Sequence, residues 1–327
     1  MPRKRRGLLL GIDIGGTSLR LALADAPGRI LGQRKIPSPA GESPEAMVKA
    51  ICQCAEDLLA GVEGGTVGAV GLAAPGPVDV SLGQIMDAPN LPQFKSVPLR
   101  DMLQGEMGRP VTMENDANAA ALAEHRLGCG QGVQDMLYIT VSTGIGGGII
   151  ARGEVYHGAR GAAGEIGHMT IQADGPSCGC GRNGCWESLA SGTAIAREAS
   201  HRIEAGEDTL LSDVIKNGSG RLDAQAVHQA ALKGDRTSQE ILQRASFYLG
   251  VGLANVVNIF NPELIVLGGG LTQMGDQFLA PAFQVCRERA FPLHVSSLRL
   301  EVTRLGDEIA LLGALVLAQE LRDGGVA

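Results

Sequence analysis

No hydrophobic run in this sequence approaches the length of a membrane span. The longest, Ile309 to Ala318, covers ten residues, about half of the roughly 20 that a bilayer requires. Concentrated positive charge is missing as well: 28 Lys and Arg stand against 35 Asp and Glu, a net charge of −7. A broad nucleic-acid-binding face needs grouped cations to neutralise phosphates, so no nucleic-acid partner is expected. One basic run, Arg3-Lys4-Arg5-Arg6, opens the sequence. It reads as a solvated tail, with weak tail-mediated binding as the alternative. No apolar segment of the secretory type follows it, so a cytoplasmic protein without a membrane partner is expected.

Two common nucleotide motifs are also absent. No Gly-Lys-Ser/Thr occurs anywhere, which removes the P-loop. A stretch resembling GxGxxG, Thr143 to Gly148, leads into another strand-like run rather than a helix, and no acidic residue stands at the later position a Rossmann site uses.

What is present describes a folded α/β protein. Hydrophobic residues make up 44% and charged residues 19%, and 47 glycines outnumber 15 prolines. At 327 residues the chain exceeds what one core usually holds, which points to two α/β lobes with a central cleft. Apolar runs at Leu8 to Ile14, Ser18 to Ala24 and Ile30 to Ile36 are separated by Gly15-Gly16 and Ala26-Pro27-Gly28, a three-strand opening. Ser43 to Ala60 has helical spacing with Pro44 in its first turn, and Val67 to Ala73 reads as a buried strand. A similar opening returns later: strand Met136 to Val141, a turn over 143–148, then strand Ile149 to Ala151. The halves therefore look like diverged copies of one unit. Helices around Asp235 to Val257 and a strand at Leu264 to Leu267 continue the second copy. The division expected is a smaller N-terminal lobe over 1–122 and a larger lobe over 123–307. The closing helix, 308–327, would pack back on the first lobe.

The glycine turns are the first candidate site. Asp13-Ile14-Gly15-Gly16-Thr17 lies between two strands, where glycines let backbone amides approach a phosphate and Thr17 adds a hydroxyl. Asp13 could orient a hydrated magnesium ion. Alone, the segment is equally a tight hairpin turn. Ser142-Thr143-Gly144 repeats the chemistry at the matching place of the second half, and Gly268-Gly269-Gly270 could let an adenine lie against backbone. The second candidate is Glu114-Asn115-Asp116-Ala117-Asn118, a strand-to-helix corner. Asn115 or Asp116 could simply cap the helix, and Asp116 could equally accept a proton from an attacking hydroxyl, since capping does not exclude catalysis.

Seven cysteines are present, and three crowd into Cys178, Cys180 and Cys185. With His168 they supply three thiolates and an imidazole, a recognised tetrahedral set for structural zinc. Thiols at i and i+2 are poor disulfide partners; reduced, unliganded thiols are the other reading. Four protein ligands would leave the ion no open position for chemistry. Clamping this loop would fix Glu165 and Glu187, carboxylates suited to neighbouring sugar hydroxyls but, taken singly, equally at home in solvent. Cys52, Cys54, Cys129 and Cys286 read as buried small apolar side chains.

Together these segments resemble the ROK (repressor, open reading frame, kinase) family of sugar kinases, and within it the bacterial glucokinase branch. The resemblance rests on LGIDIGGT at 10–17, APGPVD at 74–79, ENDAN at 114–118, TGIGGG at 143–148, GEIGH at 164–168 and CGCGRNGCWE at 178–187, and it covers nearly the whole chain. It implies an actin-like ATPase fold (ribonuclease H-like) and ATP-dependent phosphorylation of a hexose at its 6-hydroxyl, glucose first. N-acetylmannosamine, fructose or allose are the alternatives. Asp116 would be the base. Gly76, Asn90, Asn115, Glu165, His168 and Glu187 would contact the sugar, with His168 also on the zinc. Asp13, Gly15, Gly16 and Thr17, with Thr143 and Gly144, would hold ATP phosphates and Mg2+, and Gly268 and Gly269 would back the nucleotide. Family members are commonly dimers or tetramers, which implies a homo-oligomer. Two features depart from the pattern. Repressor members carry a helix-turn-helix domain before the first strand, whereas about seven residues precede it here, so a sugar-responsive regulator is only the remote alternative. The cysteine loop reads Arg182-Asn183, an order that leaves the ligands untouched.

Overall fold

The computed structural model describes residues 7–88, 90–216 and 221–324. The basic run Arg3 to Arg6 lies outside them. Leu8–Ile14 (β1), Ser18–Ala26 (β2) and Arg29–Pro37 (β3) form an antiparallel meander. Pro44–Ala60 (α1) follows, with Ser43 accepting the amide of Ala46 at its start. Val67–Ala74 (β4) then runs parallel to β1. Val78–Asp79 (β5), Gln84–Asp87 (β6) and Lys95–Val97 (β7) make a small separate sheet. Leu99–Met107 (α2) leads to Val111–Asn115 (β8), parallel to β4, and into Asp116–Leu127 (α3).

The second half begins with Met136–Val141 (β9), Ile145–Ala151 (β10) and Glu154–Val155 (β11). Helices Glu187–Ala190 (α4), Gly192–Glu204 (α5), Leu211–Lys216 (α6), Ala224–Leu232 (α7) and Arg236–Phe260 (α8) follow. Leu264–Gly268 (β12), Asp276–Arg289 (α9), Pro292–Val295 (α10), Arg299–Val302 (β13) and Ile309–Arg322 (α11) complete the chain. The two large sheets run β3-β2-β1-β4-β8 and β11-β10-β9-β12-β13. Each joins an antiparallel pair to a parallel triple, so the repeat read from glycine spacing is a repeat of sheet topology. This is the mixed α/β architecture expected. Among the described residues no helix is long and apolar enough to cross a membrane.

The chain separates into two compact units: Met1–Gly132 with Gly148–Gly164 and Arg304–Ala327, and Val133–Gly147 with Glu165–Thr303. These bounds differ from the 1–122 and 123–307 division. α3 belongs whole to the first unit because it packs on α11: a Cβ at Gly313 would lie 1.9 Å from the Ala119 carbonyl, so the two helices meet backbone to backbone. The same closeness seats α11 on the sheet, where a Cβ at Gly71 would lie 1.9 Å from the Ala314 carbonyl. Strand alternation then sorts the first core. Leu10, Ile12 and Leu21 join Met47 and Ile51 of α1, whereas Leu9, Ala22 and Ala69 join Leu311 and Leu315 of α11.

Two local expectations need correction. The 143–148 turn is shorter than read, since β10 already starts at Ile145 and its glycines are strand residues. A Cβ at Gly148 would lie 2.4 Å from the Ala117 carbonyl, so that glycine serves close packing. Cys54 and Cys286 are buried, but Cys52 and Cys129 are only partly so.

Candidate active site and metal centre

In the first unit, parallel register brings the candidates to one edge. Asp13 pairs with Ala73, and Ala73 with Glu114, so the segments after β1, β4 and β8 all leave at the carboxyl ends of the strands, the edge where open α/β sheets bind ligands. Gly15, Gly16 and Thr17 follow β1, Gly76 follows β4, and Asn115 and Asp116 end β8 and begin α3. Asn90 joins them from the small-sheet loop: a Cβ at Gly16 would lie 3.1 Å from its Cβ. Burial pushes the Asp13 carboxyl up to about 6, opposed by the Arg20 guanidinium 3.8 Å away across the β1–β2 ladder. A divalent cation beside Asp13 would restore the carboxylate.

Asn115 caps α3, its Oδ1 accepting from the amides of Ala117 (2.9 Å) and Asn118 (3.3 Å). With that oxygen committed, its amide nitrogen is the group left to meet a ligand, as a donor. Asp116 Oδ1 accepts from the Ala117 amide at 2.8 Å. Capping and a carboxylate at the first helical position thus coexist, carried by adjacent residues.

The second unit holds the carboxylates and thiols. Ile166 to His168 form a 3-10 turn directly after Glu165, whose Oε2 lies 3.9 Å from His168 Nε2. His168 Nδ1 faces the other way, 3.7 Å from Cys178 Sγ, while Cys180 and Cys185 Sγ are 3.7 Å apart. The ligand atoms of His168, Cys178, Cys180 and Cys185 all lie within 4.8 Å of one another. A tetrahedral ion with Zn–S bonds of about 2.3 Å separates its sulfurs by about 3.8 Å, so the spacing fits zinc. It does not fit a disulfide, whose sulfurs sit about 2 Å apart. Glu187, two residues after Cys185, spans two segments: Oε2 accepts the Ile145 amide at 2.9 Å and Oε1 lies 3.7 Å from Cys178 Sγ. A Cβ at Gly144 would meet Oε2 at 2.3 Å, so that glycine makes room for the carboxylate.

Trp186, the one tryptophan, is fully buried behind this loop. Its indole fills a notch in α8 at Gly252, where a Cβ would lie 2.0 Å from Cε2. Gly252→Ala should therefore cost about 1–3 kcal/mol through overpacking, read by urea unfolding, with native Trp186 emission shifted to the red. Unchanged emission and midpoint would show that the ring does not need the notch.

Beside the 142–144 turn lies a cavity of about 740 Å³, lined by Ser142, Thr143, Thr193, Gln225, His228 and Gly270 among others. Thr143 and Gly270 are on this wall. Gly268 and Gly269 also serve close packing: a Cβ at Gly268 would meet the Tyr138 hydroxyl at 2.1 Å, and one at Gly269 the Val141 carbonyl at 2.6 Å. Thr193, Gln225 and His228 carry no motif, and their helical spacing alone gave no reason to single them out.

A model of the ROK family matches residues 9–321. A glucokinase of Halalkalibacterium halodurans is 37% identical over 318 residues, 95% of each chain. A ROK hexokinase from Thermus thermophilus has a TM-score of 0.82 at 36% identity, covering 97% of this chain and all of that one. A ROK family glucokinase from Streptomyces griseus, solved with glucose and AMPPNP, has a TM-score of 0.77 at 35% identity, covering 96% and 100%.

Proposed function

Since the chain belongs to the ROK family, we propose that it is an ATP-dependent hexose kinase that converts glucose to glucose 6-phosphate. The observation that carries the reading is the β8–α3 corner, where Asn115 caps the helix and leaves Asp116 at its first position. Asp116 accepts the proton of the 6-hydroxyl as that oxygen attacks the γ-phosphorus of ATP; the bond to the bridging oxygen breaks and ADP leaves. Asn115 donates its amide N–H to a neighbouring hydroxyl. Gly76, Asn90, Glu165, His168 and Glu187 bind the sugar. Asp13, Gly15, Gly16 and Thr17, with Thr143 and Gly144, hold the phosphates and their magnesium. The 740 Å³ cavity accommodates the nucleoside, with Gly270 in its wall.

His168, Cys178, Cys180 and Cys185 hold a structural zinc ion, whose chemistry is to fix the loop. His168 serves both tasks because its two ring nitrogens face different neighbours, Nδ1 the thiols and Nε2 the Glu165 carboxylate. Steady-state assays with ATP, magnesium and a panel of glucose, N-acetylmannosamine, fructose and allose test the substrate. Glucose should give the highest kcat/KM; a preference for any other member of the panel replaces it.

A further inference from the structure

Glu114 is 3% exposed. A carboxylate this deep needs donors on both oxygens. Oε1 accepts from the Asn115 amide at 2.9 Å and from Asn118 Nδ2 at 3.0 Å, residues that flank Asp116 on either side. Oε2 accepts from His157 Nε2 at 2.6 Å. His157 is 43 residues away in sequence, on the stretch that follows β11 and turns back at Gly158 to Gly161. The Glu114 hydrogen bond raises its pKa above the ordinary histidine value, which favours the imidazolium and makes the bond charge-assisted. Its ring is part-exposed, at 39%, while its partner is sealed. Nothing in the reaction as proposed uses either side chain.

The corner that holds Asp116 is therefore tied at two levels. Asn115 Oδ1 caps the helix through the amides of Ala117 and Asn118, bonds that do not involve Glu114. The Asn115 backbone and the Asn118 side chain hang on Glu114, and Glu114 hangs on His157. We propose that His157 is a positioning residue for phosphoryl transfer, fixing through Glu114 the strand-to-helix corner from which Asp116 reaches the sugar hydroxyl. The inference rests on Asp116 being the base. It predicts a split. The cap that orients the Asn115 amide persists without His157, so sugar binding survives, whereas displacement of a catalytic group by about 1 Å costs up to about 100-fold in rate.

His157→Ala should lower kcat roughly 10- to 100-fold and leave KM for glucose within about threefold. His157→Gln should restore kcat to within about threefold of wild type, because the glutamine amide nitrogen falls near the position of Nε2 and donates to the same oxygen. Asp116→Asn is run beside them. Wild-type kcat in His157→Ala with Asp116→Asn inactive overturns this inference and leaves the base assignment standing, whereas an active Asp116→Asn removes that assignment itself. Equal losses in the alanine and glutamine variants overturn the donor role. Should the alanine variant fail to fold, His157→Asn replaces it, an amide one methylene too short to reach Glu114. It must lose kcat where glutamine keeps it, and full activity in the asparagine variant overturns the inference.

Discussion

Asp116→Asn should lower kcat for glucose phosphorylation by about 10²- to 10⁴-fold, the range spanned by a positioned general base. The substitution is nearly isosteric, and the side-chain oxygen retained can still accept the Ala117 amide that Asp116 Oδ1 accepts at 2.8 Å. The helix start keeps its cap on Asn115, so the fold should be unaffected. Glucose affinity, measured by calorimetry, should change by less than tenfold, because the hydroxyl contacts assigned to Asn115, Glu165, His168 and Glu187 are intact. Turnover within threefold of wild type would sink the assignment. A parallel collapse of glucose binding would mean that Asp116 acts in the ground state and not in proton transfer.

Removal of the metal should have the second large effect, on stability before chemistry. One zinc per chain is expected by elemental analysis. Cys180→Ser should abolish that stoichiometry and lower Tm by on the order of 10 °C, given the folding energy that structural zinc sites supply. Burial pushes the Cys185 thiol up to about 12 and raises Cys178 too, so the thiols without metal are protonated and zinc would displace those protons. The ligand atoms already lie within 4.8 Å of one another. Protein free of zinc that melts at the same temperature and turns over at the same rate would rule out the clamp.

Local chemistry was the legible part of this site. The cluster of His168, Cys178, Cys180 and Cys185 could be read because the four residues fall within 18 positions and thiols at i and i+2 have few other uses. The turn after β1 announced itself by its glycine pair, which Ser18 and Asn90 approach closely, and the β8–α3 corner by Asn115, a helix-capping residue type. The closing helix was expected on the first lobe, and Gly71 admits the Ala314 carbonyl there. What escaped was that residues 148–164 return to the first unit and that α3 stays in it whole, where Gly313 admits the Ala119 backbone. A glycine that makes room for a partner 194 or 243 residues away looks in sequence like any other glycine. Gly268 and Gly269 show a role the run did not announce: a Cβ there would meet Tyr138 and Val141. His157 was invisible for the same reason, since its partner Glu114 lies 43 residues away on another element.

Glu187 gives the molecule a property that neither of its neighbours has alone. One of its oxygens is bonded to the amide of Ile145, which begins the strand directly after Thr143 and Gly144; the other faces the cysteine loop. With the sugar on this carboxylate and a phosphate on the turn, as proposed, both ligands would act on the same Ile145 amide bond. Any coupling between them would be reciprocal, each changing the other's dissociation constant by the same factor.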